Sequence, residues 1–168
     1  LRGNDTTPYR LLELALELRV VSEGTGSWVL ITDRLDIAMV AGVTGAQLTS
    51  RSVPLIDARR IAPGIVLGAS VHATADAWLT AQSGATFLVA GPGSDAAPAG
   101  TMTTFVRDVV TAAEDCPVIA IGGMTPERAH EMASVGAAGV AAMRGLWHDD
   151  TEAAARRYLA AYDEGFRG

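Results

Sequence analysis

Two glycines stand side by side at Gly122-Gly123, and Met124-Thr125-Pro126 follows them at the head of a helical run. Glycine has no Cβ, so a ligand can approach the main chain closely there and meet N–H groups at the positive end of a helix dipole. Thr125 has the side chain to cap that helix, and Pro126 suits its first position, where the N–H that proline lacks has no helical partner anyway. The combination makes a cradle for a phosphate-sized anion, although the same residues also serve as an ordinary loop between strand and helix. A second turn tips the balance. Arg144-Gly145-Leu146-Trp147 follows the next short apolar run, Gly139-Val140-Ala141-Ala142-Met143. In eight-stranded βα barrels the loops after the last two strands, with the start of a short extra helix, commonly form a phosphate site.

The elements that must position these turns alternate along the whole chain. Before Gly122, residues 118–121 are continuously apolar, as expected of a strand buried on both faces. Upstream, Leu1-Arg2 reads as the tail of a strand. Thr7-Pro8 opens a helix with Leu11, Leu14, Ala15 and Leu18 at helical spacing, closed by Gly24. Strands follow at 28–31, 45–48, 65–70 and 86–90. Helices fall between and after them at 35–41, 53–61, 75–83 and 102–114, then from Pro126 and from Thr151. Three joints share one wording: Ala41-Gly42-Val43-Thr44-Gly45, Ser83-Gly84-Ala85-Thr86-Phe87 and Val135-Gly136-Ala137-Ala138-Gly139. Each sets a helix-ending glycine before a short apolar strand, the mark of a repeated unit. Strict βα alternation predicts a parallel sheet in an α/β fold, here a closed (β/α)8 TIM barrel. About seven strands can be counted, whereas such a barrel has eight and typically about 250 residues. The expectation is therefore a single domain over residues 1–168 that lacks the barrel's first strand, first helix and most of its second strand.

At 168 residues and 49% hydrophobic, the chain can bury one sizeable core. A formal net charge of −6 argues against a nucleic-acid surface or an anionic membrane as partner. One cysteine excludes an internal disulfide and a thiolate metal cluster, and Cys116, just before Pro117 and a buried strand, reads as a small packing residue. With no signal peptide and no apolar run near bilayer length, the expected location is cytoplasmic. The oligomeric state is open, a homodimer included.

Several stretches together carry a resemblance to a known family: residues 1–15, Ile31-Thr32-Asp33-Arg34-Leu35-Asp36, Ala46-Gln47-Leu48, Gly68-Ala69-Ser70-Val71-His72, Ala120-Ile121-Gly122-Gly123-Met124-Thr125-Pro126 and Gly139-Val140-Ala141-Ala142-Met143. The chain resembles the thiamin phosphate synthase superfamily nearly end to end, and within it the thiazole tautomerase (TenI) branch. The resemblance implies a barrel whose loops bind a thiazole phosphate. Synthases of the family join it to an aminopyrimidine diphosphate with Mg²⁺ and release pyrophosphate. Tautomerases need no cofactor and only move a proton to aromatise the thiazole.

Position by position, the resemblance favours the tautomerase. The family's Arg-x-Lys diphosphate pair is Arg2 with Asn4 here, so one charge is lost. Thr32-Asp33-Arg34 stands for the synthases' Asn-Asp-Arg, which keeps Asp33 as a metal ligand if the chain is synthase-like. The second metal carboxylate is Ser52, before Val53-Pro54. The lysine-bearing loop is replaced by residues 91–100, and the whole chain has no lysine. Gln47-Leu48-Thr49-Ser50 follows the tautomerase wording, which with Ser70 places Gln47 near substrate. His72, at the end of a strand on the rim where barrel enzymes keep their catalysts, is the proton carrier implied, since imidazole exchanges protons near neutrality.

Beside these roles stand plainer ones. His72 can be a rim or capping histidine, Asp33 a cap for the helix near Leu35, and Arg34 an ion-pair partner of Asp36. Arg144 stands where the family usually has a small serine beside phosphate, and it can either clamp the phosphate or fill the site. His130 and His148 read as structural or exposed. The leading reading is a thiazole tautomerase-like isomerase, with phosphate on Gly122, Gly123, Arg144 and Gly145. The alternative is a thiamin phosphate synthase using Asp33 and Mg²⁺ with Arg2 on the diphosphate. A third is a barrel that binds a phosphorylated ligand without catalysis.

Overall fold

The computed structural model describes residues 1–3, 5–91, 101–147 and 150–167. Asn4, most of the loop at 91–100, and His148 lie outside them. The chain separates into two compact units, Leu1–Ser70 with Gln82–Thr86, and Val71–Ala81 with Phe87–Gly168.

The first unit carries helix α1 (Pro8–Ser22), strand β1 (Leu30–Thr32), α2 (Leu35–Ala41), β2 (Gly45–Leu48), α3 (Leu55–Ile61) and β3 (Val66–Val71) up to its penultimate residue. Thr7 caps α1 by accepting the Arg10 N–H, and Pro8 fills the first turn. Leu11 and Ala15 are buried, whereas Leu18 is exposed, so the inward stripe of α1 is shorter than its apolar spacing suggested. β1, β2 and β3 pair in parallel with Ile31 opposite Ala46 and Gln47 opposite Gly68. Leu1 and Arg2 form no strand, but the Leu1 carbonyl accepts the Thr32 N–H at 2.9 Å, a ladder rung without a ladder. The core gathers Leu11, Ile31, Ile37, Leu48 and Leu67. Arg59 of α3 ties it off below, donating to the carbonyls of Gly84 at 2.7 Å and Ile65 at 2.7 Å.

In the second unit follow α4 (Thr74–Gln82, all but its last residue), β4 (Phe87–Ala90), α5 (Thr101–Ala113), β5 (Val118–Ile121), α6 (Pro126–Ser134), β6 (Gly139–Ala141), a 3-10 turn at Arg144–Leu146 and α7 (Thr151–Arg167). β4, β5 and β6 are again parallel, with Val89 opposite Ile119 and Ala120 opposite Val140. Met102, Val106, Ala120, Met132 and Tyr158 form the core. The predicted alternation therefore holds in both units as a parallel α/β fold, and every described strand falls where the apolar runs put one.

Two further expectations change. The strand before Gly122 is not buried on both faces: Val118 and Ala120 are inside, Ile119 is half-buried, and Ile121 is 41% exposed where the chain leaves the sheet. Burial on successive residues belongs instead to β3, at Leu67, Gly68 and Ala69. The strand expected at 28–31 starts at Leu30, leaving Trp28 outside it and 59% exposed. The three glycine joints behave as their wording implied, with Gly42, Gly84 and Gly136 all at positive φ after α2, α4 and α6.

Candidate functional site

The second unit holds the turns singled out for phosphate. Gly122 and Gly123 take φ of 121° and 52°, both in the region that favours glycine, and so turn the chain from β5 into α6 within two residues. Thr125 caps α6 by accepting the Arg128 N–H, with Pro126 in the first turn, as its sequence foretold. Arg128 itself was not foreseen. Its guanidinium folds back from the first turn of α6 and donates to the Gly123 carbonyl at 2.9 Å. A Cβ on Gly123 would lie 2.6 Å from that guanidinium and would push the arginine aside, so it is the positive φ that calls for glycine here.

Arg144 is exposed in the 3-10 turn, and Gly145 follows it. What ties this turn to the other is Tyr158 of α7. Its buried hydroxyl donates to the Met124 carbonyl at 2.6 Å, and a Cβ on Gly145 would collide with that same hydroxyl. Tyr162, one turn further along α7, donates to the Ala137 carbonyl at 2.7 Å. Two tyrosines four residues apart on the last helix therefore hold the chain both before and after α6. The i, i+4 spacing was visible in the sequence, but nothing there named the carbonyls it would reach.

His72 leaves β3 exposed, with Nδ1 3.0 Å from the Gly91 carbonyl. A carbonyl can only accept, so Nδ1 carries the proton in this bond and Nε2 is the accepting nitrogen of the neutral ring. The ring is thus oriented by that bond. His130 is exposed on α6, as expected. Burial pushes the Cys116 thiol up, which suits packing rather than attack.

In the first unit, Gln47 of β2 and Ser70 of β3 meet, the amide nitrogen donating to Oγ at 3.1 Å. Arg2 is exposed near the Leu1 rung. Arg34 pairs with Asp36 through two bonds, at 2.8 and 2.6 Å, as the plainer reading had it. Asp33 does not cap α2, whose N-cap is Arg34 without a side-chain bond. Asp33 adopts φ 62° and reaches the turn after β2 instead. Its Oδ1 accepts from the Thr49 N–H at 3.1 Å, the Thr49 hydroxyl at 2.6 Å and the Ser52 hydroxyl at 2.5 Å. Its Oδ2 accepts from the Arg51 guanidinium at 2.9 Å. Burial alone would raise this carboxyl, but the bonds from Ser52, Thr49 and Arg51 outweigh it and hold Asp33 below the usual carboxylate range.

This donor set does not suit Mg²⁺. The ion needs near-octahedral oxygen ligands, usually one or two carboxylates with their lone pairs open. Here one carboxylate oxygen already takes three donors, the other faces a cation, and the neighbouring side chain is a serine hydroxyl. Among the described residues no three His, Cys, Asp or Glu side chains are grouped to hold a metal.

Parallel βα units, with a Gly-Gly turn opening a helix and a further short turn after the next strand, define an α/β fold of the kind whose turns can take a phosphate-sized anion. Comparison with known proteins narrows the class. The sequence pattern of the TMP-TENI family, thiamine monophosphate synthase, matches residues 1–146. The thiamine-phosphate synthase of Methanoculleus marisnigri is 34% identical over 166 residues, which cover 92% of this chain and 78% of the relative. That of Pyrococcus abyssi is 30% identical over 148 residues, covering 84% and 70%. Among solved structures, a thiamine phosphate pyrophosphorylase from Pyrococcus furiosus superposes with a TM-score of 0.88 at 26% identity, covering 98% of this chain and 81% of that one. The chain belongs to the thiamine monophosphate synthase family. The relatives carry synthase names, which back the sequence's alternative reading over its leading one, and none of these matches singles out the TenI branch.

Proposed function

We propose that the protein is a thiamine-phosphate synthase-type transferase, which joins an aminopyrimidine methyl diphosphate to a thiazole phosphate and releases pyrophosphate. The observation that carries this is the family match over residues 1–146, with relatives named as synthases at 34% and 30% identity. In the reaction the thiazole nitrogen's lone pair forms the new C–N bond, and the C–O bond to diphosphate breaks with its electron pair leaving on oxygen. Charge builds on the departing diphosphate, so fixed donors aimed at it lower the barrier.

The roles assigned are these. Gly122, Gly123 and the start of α6, with Arg144 and Gly145, hold the thiazole phosphate, and Arg128 adds a cation beside the first of these turns. Gln47 and Ser70 present hydrogen-bonding groups to a heterocycle. His72 orients a ring through Nε2, and Arg2 serves the diphosphate. The domain is proposed to be of the eight-stranded barrel type to which the family resemblance pointed.

A second reading, the thiazole tautomerase, is favoured by one observation: the Asp33 carboxylate is already filled by protein donors, where a metal-dependent diphosphate transfer wants it open. Offering purified protein both substrates and following thiamine phosphate and pyrophosphate separates the two. The synthase reading expects both products in equal amounts. Aromatisation of the thiazole with no coupled product would replace it by the tautomerase.

A further inference from the structure

We infer that the Arg51 guanidinium takes the place of a divalent cation at the Asp33 turn, so that this protein binds a diphosphate there without metal. The inference rests on the synthase reading for the identity of the anion, but not for the chemistry of the turn.

The turn is closed on itself. Asp33 begins from a backbone rung, its N–H bonded to the Gln47 carbonyl at 2.9 Å, and its left-handed φ of 62° swings the carboxylate toward residues 49–52. The Thr49 N–H is shared between Asp33 Oδ1 at 3.1 Å and Ser52 Oγ at 2.9 Å, and the Ser52 N–H returns to the Thr49 carbonyl at 3.0 Å. Ser52 thus spends its proton on Asp33 and its oxygen on Thr49, and it contributes no negative charge. Three donors on Oδ1 leave no lone pair for an ion. On Oδ2, an ion would have to displace Arg51 and then share the oxygen's surroundings with a like charge.

Arg51 has what the ion would have supplied. Its side chain is 58% exposed, against 18% for Asp33, so the pair presents its cationic member to solvent. A guanidinium carries five N–H donors in a planar fork that matches phosphate oxygens two at a time, and one of its nitrogens is steadied by Asp33. The pair is neutral overall, so its hold on an anion comes from directed hydrogen bonds rather than from net charge. That predicts modest affinity and no requirement for Mg²⁺.

The experiment uses the full chain and two probes, Mn²⁺ alone and inorganic pyrophosphate in EDTA. Electron paramagnetic resonance titration should find no saturable Mn²⁺ site that Asp33→Asn removes. Calorimetry in EDTA should show pyrophosphate binding, weakened about tenfold to a hundredfold by Arg51→Ala, the size expected for losing hydrogen bonds from a charged donor. Circular dichroism checks that the exposed Arg51→Ala variant stays folded, and Arg51→Lys should recover only part of the affinity because it loses the fork. A Mn²⁺ site abolished by Asp33→Asn, no pyrophosphate binding in EDTA, or binding indifferent to Arg51→Ala would each overturn the inference. If Arg51→Ala behaves as expected while no thiamine phosphate is made, the inference stands and the synthase reading falls. Condensation that strictly needs Mg²⁺ through Asp33 does the reverse.

Discussion

His72 is the residue on which the two functional readings disagree most sharply. Condensation moves no proton at the bonds that form and break, whereas tautomerisation must take a proton from one atom of the ring and return it to another. The Gly91 carbonyl fixes Nδ1 as the donor, so Nε2 is the group available for either task. His72→Asn keeps a polar, uncharged side chain but cannot carry a proton near neutrality. On the synthase reading its kcat for condensation should fall by no more than about tenfold, through poorer ring placement. A fall of about 10²–10⁴-fold is the size of a lost general acid–base group and would mark proton transfer. Steady-state kinetics on the two reactions, run side by side, measures this. Gly123 offers a complementary test at the phosphate end. Gly123→Ala strains a φ of 52° and pushes its Cβ to 2.6 Å from the Arg128 guanidinium. It should raise KM for the thiazole phosphate about tenfold or more while moving kcat less, since the turn is assigned to binding.

At the scale of elements, α7 decides how firmly the turn that opens α6 is set. Tyr158→Phe keeps the ring beneath Gly145 and removes only the hydroxyl that serves the Met124 carbonyl. Leaving a buried carbonyl short of its partner costs about 1–3 kcal/mol, read as a lower urea midpoint. If Tyr158 only supports the fold, KM for the thiazole phosphate will not change in the surviving folded protein. A positioning role predicts that KM rises together with the loss of stability. Much of this scaffold was legible in the sequence. β2 and α2 fall on the residues their patterns marked, and Thr125-Pro126 caps α6 as residue types alone require. What stayed hidden shares one physical cause. Arg128 folding onto Gly123, Tyr158 reaching Met124 and Arg51 reaching Asp33 span 5, 34 and 18 positions, and period and propensity say nothing about which distant groups meet. Ile121 failed for a related reason, since an apolar run records what a residue prefers and not where the sheet ends.

For the whole molecule the informative variable is pH, because folding holds particular carboxylates ionised. Burial would raise Asp33, but Ser52, Thr49 and Arg51 together leave it below its ordinary range. Arg34 holds Asp36 low as well, although that pair is more exposed and its effect is screened. Because the folded-state values lie below the unfolded ones, acidification protonates the unfolded chain first. Between the two, the unfolded state binds more protons and stability falls as pH falls. The contribution is fully present above the ordinary carboxylate range, about 4, and disappears as pH drops through the folded-state value. The urea midpoint should therefore be flat from about pH 7 to about pH 5 and decline below about pH 4. Asp33→Asn separates this group from the others. At pH 7 the variant should be less stable than the parent, because an amide accepts hydrogen bonds less strongly than a carboxylate and leaves Arg51 without its charge partner. As pH drops through its folded-state value the parent loses its own Asp33 charge, so the two midpoint curves should converge there. Curves that run parallel across the whole range would mean that the turn at residues 49–52 is held by its hydroxyls and backbone alone. The carboxylate would then be free for an ion after all.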